Sequence, residues 1–248
     1  MKKSTLYEDL RKEYHAPFEG WDFSHLEGRM TETSLPWSYR EIVERYLQNR
    51  SALLDMDTGG GEFLSSLENL PDTVIATEGY EPNIPVAQKR LREKGISLVI
   101  SEDREPLPLE DAFFDIIINR HGSYSCKELR RLLMPGGIFV TQQVGSLNAV
   151  DLNLSLGNLN PLEDWSLAGN IRNFRREGFS FVEFGENMGS YRFFDVPGIA
   201  YYLKCIPWQI PDFSVEKYGE RMELLQEIME KKGFLDFLSH RFYLVTQR

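Results

Sequence analysis

The chain has 248 residues, of which 42% are hydrophobic and 27% are charged, and its formal net charge is −10. This length and composition predict one sizeable α/β domain with additions, and the charge disfavours nucleic acid as a partner. No run approaches the roughly 18 apolar residues that span a bilayer, and no export signal follows the first lysines, so a cytoplasmic protein is expected. Two cysteines far apart, with no histidine at ligand spacing, predict neither a disulfide framework nor a metal site.

Residues 1–50 form the first predicted segment. Thr5–Tyr14 reads as a charged amphipathic helix, and a second helix is predicted after Pro36, over Ser38–Gln48. Between them lies the aromatic stretch GWDFSHLEGRM, followed by PWSY. Such a segment either covers a binding site as a helical cap or packs as a hydrophobic strap on the sheet edge.

From residue 51 onward, apolar runs alternate with helix-period segments. This pattern predicts a doubly wound, mostly parallel sheet with helices on both faces, an α/β fold. The helices are predicted at Glu62–Leu70, Asn83–Lys94 and Tyr124–Met134. The strands are short and rich in Val, Ile, Leu or Phe: Ala52–Met56, Thr73–Glu78, Ile96–Ser101, Phe114–Asn119 and Gly137–Val144.

The carboxyl-terminal part is less regular, and the main domain is predicted to span residues 51–248. A polar stretch around 145–165 and a second one around 190–213 are interpreted as inserted or lid-like segments, because long loops in compact domains are usually functional. The remaining predicted elements are a helix near Ser166–Glu177, a strand at Phe179–Phe184, a helix at Val215–Lys232 and a late strand within HRFYLVTQR.

The stretch LLDMDTGGGEFL, residues 53–64, raises the question of a ligand. In wound sheets, ligands bind where the first strand turns into its helix, and glycines let a ligand approach bare backbone. A phosphate loop would need a lysine after the glycines, and a dinucleotide loop would need a further glycine. Asp55 ends the first strand of this unit, and Glu78 ends the next, where a carboxylate can accept hydrogen bonds from ribose hydroxyls.

Four motifs in order resemble those of the class I S-adenosylmethionine-dependent methyltransferases of the type 11 kind. Asp55–Gly61 is similar to their motif D-x-G-x-G-x-G, and Glu78 matches the ribose-binding acid. EDREPLPLEDAFFD and ELRRLLMPGGIFV resemble the stretches around their fourth and fifth strands. The resemblance covers roughly residues 50–145 and implies a Rossmann-like methyltransferase fold with a late antiparallel strand at Arg241–Val245.

The resemblance also implies the cofactor, S-adenosylmethionine, and the residues that bind it. The resemblance implies that Glu78 binds the ribose and that Asp103 binds the adenine amino group. The sequence departs from the family's motif at Asp57, which stands in place of the first glycine, where the loop passes the methionine portion of the cofactor. An acid at this position raises the cofactor affinity if it faces the ammonium group of the cofactor and lowers it if it faces the carboxylate. The expected cofactor-binding residues are Asp55, Asp57, Gly59, Gly61, Glu78, Gly79, Asp103, Arg104 and Asn119.

The acceptor is expected above the ends of the fourth and fifth strands. His121 is the candidate general base, with a histidine that only binds backbone as the alternative. Arg120 either binds an acidic acceptor or pairs with a surface carboxylate. Gln142 and Gln143 are adjacent on a strand, so only one of them can face the pocket, and Gln142 is the one assigned to it.

These observations favour a methyltransferase that acts on a small molecule. A non-catalytic cofactor-binding protein with a degenerate first motif is the alternative, because of Asp57. An RNA methyltransferase would require a contiguous basic surface. The sequence leaves the acceptor and the oligomeric state open.

Overall fold

The computed structural model describes residues 3–18, 21–100, 106–158 and 165–248. The helices within these ranges are α1 (Lys3–Tyr14), α2 (Tyr39–Leu47), α3 (Glu62–Ser65), α4 (Ile84–Arg92), α5 (Cys126–Leu132), α6 (Val150–Ser155), α7 (Leu167–Arg176), α8 (Val196–Cys205) and α9 (Val215–Lys232). The strands are β1 (Met30–Glu32), β2 (Ala52–Met56), β3 (Thr73–Glu78), β4 (Ser97–Ile100), β5 (Phe114–Arg120), β6 (Leu133–Val144), β7 (Ser180–Phe193) and β8 (Leu235–Gln247).

The described strands form one mixed sheet in the order β1-β7-β8-β6-β5-β2-β3-β4. The five strands from β2 to β6 are mutually parallel. β8 inserts antiparallel between β6 and β7, and β1 closes the edge antiparallel to β7. The predicted fold class, a mostly parallel wound sheet with a late antiparallel strand, is confirmed.

Helices cover both faces of the parallel strands, which explains why the middle residues of those strands are consecutive apolar ones rather than alternating with polar ones. Leu53 of β2 packs with residues of α2, α3 and α4 on one face. Its neighbour Leu54 packs with residues of α5 and α7 on the other. Both side chains are completely buried.

The first helix after the glycine loop is shorter than the predicted Glu62–Leu70. α3 ends at Ser65, and the hydroxyl groups of Ser65 and Ser66 donate to the carbonyl oxygens of Glu62 and Phe63 at 3.1 and 2.7 Å. Serine side chains compete in this way with continued helical hydrogen bonding. Asn69, with φ +55°, then turns the chain toward β3.

The last two strands are much longer than the predicted Phe179–Phe184 and Arg241–Val245. β6 pairs with β8 only as far as Val144, opposite Arg241, whereas the β7–β8 pairing continues to Phe193, opposite Leu235. The antiparallel ribbon therefore projects past the carboxyl end of β6. It was missed because its outer half is stabilised by long-range pairing rather than by a local apolar run.

Three helices, α6, α8 and α9, pack on this ribbon, and α1 packs on α8 and α9; we call these four helices the helical lobe. Leu10 of α1, Ile199 of α8 and Met222 of α9 are fully buried in one cluster with Phe237 of β8. α6 lies in the stretch 145–165 and α8 in the stretch 190–213, where no helix was predicted. Within the described residues, no helix combines the length and the apolar character that crossing a membrane requires.

Candidate functional site

The residues predicted from the glycine motif gather where β2 ends. Asp57, Gly59 and Gly61 all have left-handed backbone conformations, with φ of +56°, +65° and +77°. Glycine adopts such angles freely, and aspartate is one of the few other residues that tolerates them. The backbone conformation of the loop therefore accommodates Asp57 in place of the usual glycine.

Asp55 and Glu78 place two buried carboxyl groups beside this loop. Burial raises the pKa of Asp55 to about 7, and the negative charges of Asp57 and Glu78 add to the effect, while a hydrogen bond from the Thr58 hydroxyl at 2.7 Å opposes it. A buried acid with like charges nearby is stabilised when a cation binds next to it. The three acids therefore favour a positively charged ligand.

Glu78 also organises the chain after β3. Its Oε1 accepts hydrogen bonds from the backbone amides of Gly79 at 3.0 Å and Tyr80 at 2.7 Å. Among the described residues, its Oε2 has no hydrogen-bonding partner. One carboxylate oxygen thus fixes the turn, and the other is available to a ligand.

Asn119, at the end of β5, connects three strands. Its side-chain amide donates to the carbonyl of Met56 at 3.0 Å and accepts from Gln143 at 2.7 Å and from Thr141 at 3.3 Å. Asn119 is fully buried. These bonds hold the ends of β2, β5 and β6 together, so the immediate effect of Asn119 is to position the neighbouring turn.

Gly122 follows this turn and packs directly against the glycine loop. A Cβ atom at Gly122 would lie 2.5 Å from Asp57 Oδ2 and 2.7 Å from Asp57 Cβ. The turn after β5 and the loop after β2 are therefore in contact through a position that has room only for glycine. No pattern in the sequence predicts this contact.

Gln142 and Gln143 point to opposite faces of β6, as strand geometry requires. The Trp37 indole donates to Gln142 Oε1 at 2.9 Å, and Gln142 Nε2 lies 3.3 Å from His121 Nε2. On the other face, the Trp165 indole donates to Gln143 Oε1 at 3.3 Å. Each glutamine is thus oriented by an indole from a distant part of the chain.

Arg120 is the last residue of β5, opposite Gln142 of β6, and His121 follows it. His121 is an exposed residue, and desolvation of its ring, with the nearby cations Arg241 and Arg120, lowers its pKa below the usual value. A lowered pKa makes the ring a weaker proton acceptor and keeps it neutral at neutral pH; the general-base role stays a prediction. The Arg120 guanidinium lies 5.7 Å from the centre of the Phe63 ring and has no carboxylate partner within the described ranges.

An aromatic group from three segments covers the glycine loop. Trp21 Cδ1 lies 3.2 Å from where a Cβ atom of Gly59 would be. The Trp21 ring is stacked on Tyr80, with centroids 6.3 Å apart, and its edge faces Trp208 at 5.7 Å. The predicted aromatic stretch thus reaches the loop, but Tyr80 carried no signal in the sequence.

Comparison with known families bears on this site. A family model described as the methyltransferase domain matches residues 54–141. This part of the chain is similar to a methyltransferase domain. The match begins within β2 and ends within β6, so it includes the glycine loop, Glu78 and the end of β5. A search of curated protein sequences gave no significant match.

Solved structures agree with the methyltransferase fold. A candidate methyltransferase from Bacillus halodurans has a TM-score of 0.62 at 17% identity, over 85% of this chain and 98% of the other. The cyclase SpnF gives 0.55 at 16% identity, over 98% and 94%. A phosphoethanolamine N-methyltransferase from Haemonchus contortus, solved with S-adenosylhomocysteine, gives 0.53 at 13% identity, over 98% and 57%. At these identities the likeness shows the fold.

The cofactor of the methyltransferase domain is S-adenosylmethionine, as the motifs predicted, and the described residues fit it. The glycine loop offers uncovered backbone, and Glu78 Oε2 is available to a ribose hydroxyl. The acids around Asp55 suit a ligand that carries a sulfonium and an ammonium group. Asp103 and Arg104, also expected to bind the cofactor, lie outside the described residues.

Proposed function

We propose that the protein methylates a small-molecule acceptor at the edge of the sheet where β2, β3, β5 and β6 end. The observation that carries the proposal is the meeting of two groups at this edge. The glycine loop with Asp55 and Glu78 supplies a cofactor site, and His121 and Gln142 supply polar groups beside it. A net charge of −10 favours a small acceptor over nucleic acid.

In this proposal the cofactor-binding residues divide by role. Glu78 accepts a hydrogen bond from the ribose, and Gly79 maintains the turn that holds Glu78 in place. Gly59 and Gly61 keep the loop open to the ligand, while Asp55 and Asp57 face its positive charges. The set Asp103, Arg104 and Asn119 completes the expected cofactor site.

Bound S-adenosylmethionine supplies a methyl group already activated by its sulfonium. The chain then has to orient the acceptor and exclude water from the site. We assign the covering function to residues 1–50 together with the stretches 145–165 and 190–213. Support comes from Trp21 on the glycine loop, and from the bidentate pair of Arg29 with Asp195, at 2.9 and 2.7 Å, which ties the first segment to the start of α8.

Arg120 is proposed to bind an anionic group of a ligand at this edge. Its guanidinium is exposed and rests on the Phe63 ring, close to the glycine loop, whereas Arg29 and Arg241 are paired with acids. An arginine without an acidic partner is suited to a carboxylate or phosphate.

A second candidate function is cofactor binding without turnover. Asp57 favours it, because this acid replaces a glycine of the motif and crowds Gly122. The cyclase SpnF, which has the same fold, illustrates that the fold does not fix the chemistry. RNA methylation is a third candidate, which would require a contiguous basic surface.

Two measurements separate these candidates. Calorimetric titration with S-adenosylmethionine and S-adenosylhomocysteine, beside the Asp57→Gly variant, tests whether the wild-type loop binds cofactor. Incubation with methyl-labelled cofactor and pools of small molecules, or of RNA, then tests turnover. Binding followed by label in a small molecule supports the proposal. Binding with no label in any pool would favour the non-catalytic protein, and label in RNA would favour the third candidate.

A further inference from the structure

His121 is the end of a hydrogen-bonded chain that starts at Trp37. The Trp37 indole Nε1 is 2.9 Å from Gln142 Oε1, and Gln142 Nε2 is 3.3 Å from His121 Nε2. Trp37 precedes α2, Gln142 lies in β6 and His121 follows β5, so three separate segments meet. Gln142 is buried. The orientation of its side-chain amide determines whether the oxygen or the nitrogen faces His121.

The direction of each hydrogen bond follows from the groups themselves. An indole N–H can only donate, so the Gln142 atom that faces Trp37 must be the amide oxygen. The amide nitrogen, which can only donate, then faces His121. His121 Nε2 must therefore be the acceptor, and the ring proton of the neutral imidazole must lie on Nδ1.

We propose that Trp37 and Gln142 fix His121 as the Nδ1–H tautomer, so that His121 acts as a hydrogen-bond donor at the acceptor site and takes no proton from the acceptor. The acceptor part of this inference rests on the proposed function. It specifies an acceptor with a lone pair beside His121, such as a carbonyl, carboxylate or phenolate oxygen.

The surroundings of His121 agree with a neutral donor. Desolvation of the ring and the cations Arg241 and Arg120 disfavour the imidazolium, which would carry protons on both nitrogens. The backbone amide of His121 is bonded to the Gln142 carbonyl at 2.9 Å, which holds the residue against β6. Among the described residues, Nδ1 has no hydrogen-bonding partner, so its proton is available to a ligand.

Nitrogen-15 NMR of the ring nitrogens tests the tautomer directly, without cofactor or acceptor. The chain has four histidines, and the His121→Asn variant assigns the His121 signals by their loss. We expect a protonated Nδ1 and an unprotonated Nε2 in the wild type at neutral pH. A protonated Nε2 would overturn the proposal.

Trp37→Phe tests the relay, because it removes the donor that orients the Gln142 amide without removing a contact of His121. We expect the amide to turn over in part of the molecules and the His121 signals to show a mixture of tautomers. The matched control is Trp165→Phe, which removes the equivalent bond to Gln143 on the other face. An unchanged tautomer in Trp37→Phe, as in the control, would overturn the relay.

Gln142→Glu keeps the test decisive if Trp37→Phe fails to fold. A carboxylate accepts from Trp37 and can only accept from His121, so we expect the ring proton to appear on Nε2. A wild-type pattern in a folded Gln142→Glu protein would contradict the assignment.

Activity separates a donor from a base once an acceptor is known. Asparagine keeps an N–H donor and tolerates the His121 backbone, whose φ is +65°. We expect His121→Asn to retain most of kcat/KM and His121→Gly, which also tolerates this φ but offers no donor, to lose about 10-fold, the size of one hydrogen bond. Equal large losses in both would indicate a base. If the tautomer is confirmed but no acceptor is methylated, the proposed function fails and the tautomer assignment stands.

Discussion

The substitution Gly122→Ala should distort the glycine loop, although Gly122 itself lies in the turn after β5. The added Cβ would lie 2.5 Å from Asp57 Oδ2, 2.7 Å from Asp57 Cβ and 2.7 Å from Asn119 Nδ2. Rotation of the Asp57 side chain can move its carboxylate but not its Cβ. The backbone of the glycine loop, or of the turn after β5, must therefore shift.

The expected loss of stability depends on which groups near the added Cβ atom can move. Asn119 is held by bonds to Met56 and Gln143 at 3.0 and 2.7 Å, and breaking each would cost about 0.5–1.5 kcal/mol. Overpacking of this kind costs about 1–3 kcal/mol in total. We expect the loop at Asp57 to yield, with a loss of stability in that range and a fall in cofactor affinity of about 10-fold or more.

Urea unfolding and calorimetric titration with S-adenosylhomocysteine measure the two effects. Asp57→Gly and the double variant Asp57→Gly, Gly122→Ala complete a double-mutant cycle. The double variant should recover part of both losses, because two of the three clashes involve Asp57. Wild-type stability and affinity in Gly122→Ala, or strictly additive changes in the double variant, would refute this reasoning.

Three further predictions concern the cofactor. Glu78→Ala should weaken cofactor binding in calorimetry, because it removes the ribose acceptor and the bonds to Gly79 and Tyr80; unchanged affinity would contradict the ribose role. Affinity for S-adenosylmethionine should rise between pH 6 and pH 8, since Asp55, with its pKa of about 7, loses its proton there, and an Asp55→Asn variant should lack this rise. Trp21→Phe should abolish most of the change in intrinsic fluorescence on cofactor binding; a full change in the variant would show that Trp21 is not near the ligand.

The parallel strands could be predicted because each one is marked by its own local sequence. A strand buried on both faces needs a run of consecutive apolar residues, and Ala52–Met56 and Thr73–Glu78 were predicted from such runs with the bounds that the structure shows. The glycine run and the acids at the strand ends were predictable for the same reason, since they follow directly from the turn after each strand.

The ribbon and the helical lobe were not predictable in this way. β7 contains Gly185 and Gly189, residues that weaken an isolated strand, and it persists because β8 pairs with it over its whole length. α8, with the sequence VPGIAYYLKC, is buried on nearly every side, so it lacks the polar face that marks a surface helix.

The candidate site, too, could be predicted from the sequence only in part. The sequence placed His121 and Gln142 near each other, because both end adjacent parallel strands. It did not reveal that Trp37, 105 residues from Gln142, would fix the direction of the amide. The role of His121 therefore depends on a residue for which no local pattern exists.

The buried acids have a consequence for the release of the demethylated product. A carboxyl group whose pKa is raised in the folded protein contributes stability below its unfolded pKa of 3.8 and loses it as the pH rises through about 7, so an ionised Asp55 without a counter-ion is a cost to the fold. A ligand with a sulfonium offsets that cost, whereas the demethylated product, which has lost this charge, offsets less of it. In the proposed enzyme, Asp55 and its neighbours Asp57 and Glu78 therefore favour the methyl donor over its product, and this difference promotes product release after each turnover.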